Sequence, residues 1–143
     1  MKAKSIIILL LALTYLGCNK DNVNTSKSLT GKWKLIKYQN VLNASMELEP
    51  SNIDRSIIMT FSDDEVRGYI NGRTVTNDVF GKYQLSQNNK IQVLSFGGTK
   101  IAEPRWGAKF WSAMHSVTSF KREYNKLFIY FNSDTELMEF NRQ

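Results

Sequence analysis

One cysteine, one histidine and two prolines in 143 residues narrow the chemistry before any pattern is read. Cys18 has no partner for an internal disulfide, so the core must be held by packing. A zinc site needs three or four His, Cys or carboxylate ligands converging on one point. One histidine and one cysteine cannot furnish that set, and no metal is expected. No G-x-S-x-G elbow supplies a serine for His115, so a Ser-His-Asp centre lacks its nucleophile and the chain does not read as an enzyme. "FGGTK" (residues 96–100) has glycines, a threonine and a lysine. It lacks the G-x-x-x-x-G-K-[ST] order that wraps phosphates, and no cofactor is expected. Charge is thin as well: 19 basic side chains, less Lys2 and Lys4 of the leader, stand against 13 acidic ones and leave +4. The basic residues are scattered, which argues against a nucleic-acid partner. The longest apolar run, residues 6–16, is too short for a transmembrane helix, which needs about 20 residues.

What is present at the front is informative. A basic start, the apolar run "IIILLLALTYL" and then Gly17 before Cys18 describe a secretory signal. The segment resembles the lipobox of bacterial (Bacteroidetes-type) lipoproteins, which implies a lipid on Cys18; an ordinary secretory signal is the alternative. Acyl chains contribute about 0.8 kcal/mol per buried CH₂, enough in pairs for stable anchoring. "NKDNVNTSKS" (residues 19–28) is polar and without periodicity, a flexible tether. Its Lys20-Asp21 pair is similar to the short signal that sends such lipoproteins to the outer face of the outer membrane. The expected organisation is therefore a signal peptide at 1–17, a lipidated cysteine and tether at 18–28, and one domain at 29–143. The expected location is the cell envelope, at the outer membrane, with the membrane as partner through the lipid.

From Leu29 the pattern has mostly period two. Strands are expected at residues 31–38, on both sides of a Ser62-Asp63-Asp64 turn within 56–70, at 73–85, 90–96, 119–123, 126–131 and 135–140. Asn71-Gly72 reads as a hairpin turn, as do residues 87–89 and Tyr124-Asn125. Residues 40–55 read as a long loop. "EPRWGAKFWSAMHSV" (residues 103–117) breaks the rhythm: Trp106, Phe110, Met114 and Val117 recur at helical spacing. The fold expected is mainly β (α+β), an antiparallel, barrel-like curled sheet of about eight short strands with one helix before the last three.

"VTNDVFGKY" (residues 75–83) resembles the signature of the META/HslJ-like domain, Gly-Cys-Asn-x-Phe-x-Gly-x-Tyr. Asn77, Gly81 and Tyr83 stand at the family spacing; Val75, Thr76 and Val79 depart from it. The opening "LTGKWKL" with Trp33, the helix with Phe110 and Met114, "KLFIYF" and "LMEF" follow in family order. The resemblance implies a compact β-rich barrel with a helix, common on envelope lipoproteins and without an assigned enzymatic activity. A lipocalin-like carrier of a small apolar ligand also opens with Gly-x-Trp, here Gly31-Lys32-Trp33. In that family an arginine near the C-terminus, here Arg142, stacks on the tryptophan. Large side chains such as Trp33, Phe61, Tyr83, Phe96 and Phe128 filling the barrel would exclude a carrier.

The surface-binding candidates lie on the helix. Trp111 sits about 100° from Phe110 around the axis, off the apolar stripe. It is a candidate contact for a protein, glycan or small molecule, together with His115, Arg105 and Lys109. The bland readings are a Trp111 packed under the 40–55 loop and a half-exposed His115. "SDDE" (residues 62–65) reads as a solvated hairpin tip, not a calcium loop. The domain is expected to be monomeric.

Overall fold

The computed structural model describes residues 27–143; the leader, Cys18 and the tether to residue 26 lie outside the described residues. Nine strands form one antiparallel sheet: β1 (Gly31–Asn40), β2 (Met46–Leu48), β3 (Ile58–Asp63), β4 (Arg67–Arg73), β5 (Asp78–Ser86), β6 (Lys90–Gly98), β7 (Val117–Glu123), β8 (Lys126–Phe131) and β9 (Glu136–Arg142). The helix α1 (Arg105–Met114) joins β6 to β7 and so precedes the last three strands. From β3 to β9 each strand pairs with the next, and β1 pairs with both β3 and β9, which closes the sheet into a barrel. Closure removes most of the open strand edge that such a sheet would otherwise present.

Three local expectations are corrected. Residues 40–55 are not all loop, because β2 pairs there with β1 at Lys37↔Leu48 and Gln39↔Met46. β1 is long and β3 covers only Gly31 to Lys34, so the rest of its edge recruits a partner. β2 and β3 are two parts of one ladder: the Glu49 amide donates to Ile36 O and the Leu35 amide to Ile57 O, each at 3.0 Å, and residues 50–56 loop out between them. Asn71-Gly72 is not a turn; it lies inside β4, and the chain reverses at residues 74–77, where the Thr74 amide donates to Asn77 O at 2.8 Å. Gly72 serves close strand approach instead, since a Cβ there would sit 2.3 Å from Ile58 O. The helix ends at Met114, and Val117 opens β7. Bonds from the His115 amide to Ser112 O and from the Ser116 amide to Ala113 O tighten its last turn.

The interior is filled by side chains. Trp33, Leu35, Met59, Phe61, Ile70, Tyr83, Leu127, Ile129, Met138 and Phe140 are all buried. A register shift between Leu35 and Lys37 lets Tyr38 join Trp33 and Leu35 inside. In β8 the alternation puts Leu127, Ile129 and Phe131 inward, so Phe128 faces out and is only half-buried. Phe96 is not in the barrel centre either. β6 and β7 share the single pair Lys90↔Ser119, and α1 covers the seam this leaves. Phe110 and Trp111 pack edge-on against Phe96, with ring centroids 6.0 and 4.9 Å away.

Candidate functional site

The site grows from the turn between β4 and β5. Asn77, 1% exposed, uses its whole amide to tie that turn to the segment leading into α1. Its Nδ2 donates to Ile101 O (2.8 Å) and to Glu103 Oε1 (2.7 Å). Its Oδ1 accepts from the Ile101 amide (2.7 Å) and the Thr99 hydroxyl (2.9 Å). Glu103 Oε1 also accepts from the Thr74 hydroxyl and from Trp111 Nε1, the latter at 3.2 Å. The second carboxylate oxygen, Oε2, is buried without a hydrogen-bond partner. It lies against Gly107 in the first turns of α1, where a Cβ would come within 1.9 Å of it. A glycine inside a helix costs about 1 kcal/mol relative to alanine; here it makes room for a negative charge at the positive end of the helix dipole. Burial acts to raise the Glu103 pKa, but the hydrogen bonds from Thr74, Asn77 and Trp111 outweigh it and hold it below the ordinary 4.5. Beside this hub a surface pocket of about 340 Å³ is lined by Asn77, Thr99, Lys100, Ile101, Glu103, Ala108 and Trp111.

The four helix candidates divide between two flanks. Lys109 and Trp111 are two residues apart, so about 200° separates them around the axis. Trp111 borders the pocket and His115 follows it, with its ring 6.3 Å from that of Phe96. Arg105 and Lys109 face the β1–β2 hairpin, at 3.8 and 3.0 Å from the Glu47 carboxylate. Lys109 Nζ also stands 4.6 Å from the centre of the Tyr38 ring. Trp111 therefore does not pack under residues 40–55; it packs on Phe96, beside the Glu103 hub.

The motif residues have structural tasks. Gly81 passes the bulge that offsets β6, where a Cβ would meet Ser95 O at 2.4 Å. The Tyr83 ring lies over Gly68, its partner across β4, where a Cβ would come within 2.2 Å of the ring. Its hydroxyl donates to Asp63 Oδ2 at 2.7 Å. Asp63 Oδ2 also accepts from the Leu29 amide at 2.9 Å. Burial acts to raise the Asp63 pKa, yet these bonds and those from Ser28 and Glu65 keep it below the ordinary 3.8. Trp33 donates its Nε1–H to Leu29 O at 2.9 Å. Its ring carries two guanidinium groups, Arg122 at 5.3 Å and Arg142 at 5.8 Å, so the stacking expected of Arg142 is present. Asp64 at the hairpin tip accepts from the Val66 and Arg67 amides, a self-contained turn.

Glu103, Thr74 and Gly107 were missed by reading the sequence. An acidic residue just before Pro104 and a glycine in the third helical position were the available signals. No group of three or more His, Cys, Asp or Glu stands together as a metal site among the described residues.

A family model described as the META domain matches residues 21–143. No curated protein matches the chain. Among solved structures, a protein from Burkholderia xenovorans has a similar fold, with a TM-score of 0.63, 17% identity, and coverage of 79% of this chain and 81% of that one. A duf4847 family protein from Bacteroides vulgatus gives a TM-score of 0.61 and 14% identity, with coverage of 80% and 93%. At these identities the likeness concerns the fold alone.

Proposed function

This chain belongs to the META domain family, and from that premise we propose that it is a non-catalytic binding module of the bacterial envelope, anchored in the outer membrane by a lipid on Cys18. The observation that carries the surface-binding reading is the filled interior: Trp33, Phe61, Tyr83 and Phe140 are each at most 1% exposed, which leaves the outside of the barrel for a ligand. The polar groups of the Trp111 pocket support it too, because Asn77 and Glu103 Oε1 are engaged in holding backbone and one another. His115 has a bland environment against Phe96. One observation favours the carrier reading, the Arg142 guanidinium over Trp33; here that pair stoppers a full barrel.

The anchor is tested by growing cells with a clickable palmitate analogue. Wild-type protein should be labelled and sediment with membranes, whereas Cys18→Ser should be unlabelled and released. Labelling that survives in Cys18→Ser would refute the lipid anchor.

A further inference from the structure

The outward side chains of β3, β4 and β5 line up in rows across the strands. One row runs Lys32, Thr60, Asn71, Phe80 and Gly97, each directly opposite the next. The row beside it runs Ser62, Tyr69, Lys82 and Ser95, and the next on the other side holds Ile58, Arg73 and Asp78. Phe80 and Tyr69 are 63% and 58% exposed. They occupy diagonal positions on paired strands, a spacing within reach of aromatic side chains. Gly97 borders Phe80 with bare backbone, and a Cβ there would meet nothing within 4 Å. A shallow surface hollow of about 280 Å³, lined by Lys32, Ile58, Thr60, Gly72, Arg73 and Asp78, continues the face.

Charge on this face is mostly positive, with three cations against the one carboxylate of Asp78, which lies opposite Arg73. Lys32, Arg73 and Lys82 are exposed and enter no ion pair among the described residues. Lys82 Nζ stands 6.0 Å from the centre of the Tyr69 ring. The carboxylate in the same rows, Asp78, is held by Arg55 at 3.4 Å. Two exposed rings, three unpaired cations, and the hydroxyl and amide groups of Thr60 and Asn71 offer stacking, charge and hydrogen bonding at once. We infer that the outer face of β3–β5 binds an anionic glycan, a sugar chain carrying carboxylate or sulfate-like acidic groups. Sugar rings lie on Tyr69 and Phe80, and the acidic groups meet Lys32, Arg73 and Lys82. The choice of a glycan over a nucleic acid rests on the envelope reading proposed above.

The test titrates the full chain, purified in detergent, with polygalacturonate fragments, dextran sulfate, neutral dextran of equal length and an oligo-dT strand. The acidic glycans should bind, more weakly as salt is raised, and neutral dextran at least about tenfold less well. Phe80→Ala and Tyr69→Ala leave the charge unchanged and should each weaken polygalacturonate binding about tenfold. Lys82→Gln should weaken it as well, whereas Lys121→Gln, the same loss of charge on another strand, should not. Both rings are exposed, so unchanged melting curves will show that the variants fold. Three results would overturn the proposal: no binding to either acidic glycan, acidic-glycan binding indifferent to both ring truncations, or oligo-dT bound more tightly with the same dependence on Phe80. None of them would alter palmitate labelling of Cys18, so the envelope reading stands or falls separately.

Discussion

At the end of the barrel where the described chain enters, Asp63 gathers the Tyr83 hydroxyl and the Leu29 amide, and Trp33 closes the opening beneath Arg122 and Arg142. At the opposite end Glu103 gathers Asn77, Thr74 and Trp111, and a groove stays open beside it. Both ends use a partly buried carboxylate to collect donors from segments distant in sequence. The difference lies in what stands over the hub: a fully buried tryptophan at one end, a half-buried one at the other. One carboxylate seals; the other holds a rim in shape.

The largest effects should come from the rings that fill each end. Trp33→Ala and Phe110→Ala should each cost about 3–5 kcal/mol in chemical denaturation, as for other buried aromatics. A loss below about 0.5 kcal/mol for either would mean that its end is not packed as described. Asn77→Ala should cost about 2–3 kcal/mol, because it strands several buried partners at the rim. Tyr83→Phe removes one donor from Asp63 and should cost about 1 kcal/mol; equal losses for the two would erase the contrast between hub and seal.

Acid should act on both ends in the same direction. The folded pKa values of Asp63 and Glu103 lie below the ordinary 3.8 and 4.5, so their contribution is complete above those values. It is lost as pH falls from about 5 through the folded pKa values. The melting temperature should drop over that range, and less steeply in Glu103→Gln. A melting temperature indifferent to acid would show that neither hub needs its charge. Smallest of all, Arg142→Ala should cost about 0.5–1 kcal/mol, since one cation over a ring contributes little when a second remains.

How much of this was legible depended on how local the signal was. The span of β8, the helix with Trp106 and Phe110, and the turns at 87–89 and Tyr124-Asn125 follow from neighbours in sequence. The inward face of β8 does not, because Leu127, Ile129 and Phe131 turn in and Phe128 turns out. β2 did not either, because Met46-Glu47-Leu48 is only three residues long, leaves its apolar side chains exposed, and is recruited by the overhang of β1. Asn71-Gly72 misled because the same dipeptide suits a turn and a close approach of two strands, and only Ile58 O across the sheet decides between them. Glu103 stayed hidden since its partners Asn77 and Thr74 lie 26 and 29 residues away. Trp111 was rightly set apart from the stripe, but its neighbours Arg105 and Lys109 belong to the other flank.

The most direct test of a barrel filled from seal to rim is a titration of the purified protein with a fluorescent fatty acid. With Trp33, Phe61, Tyr83 and Phe140 occupying the interior, no saturable one-to-one binding is expected. Stoichiometric binding that quenches tryptophan emission and disappears when the interior residue Ile70 is enlarged to Trp would contradict it, and would make the molecule a carrier.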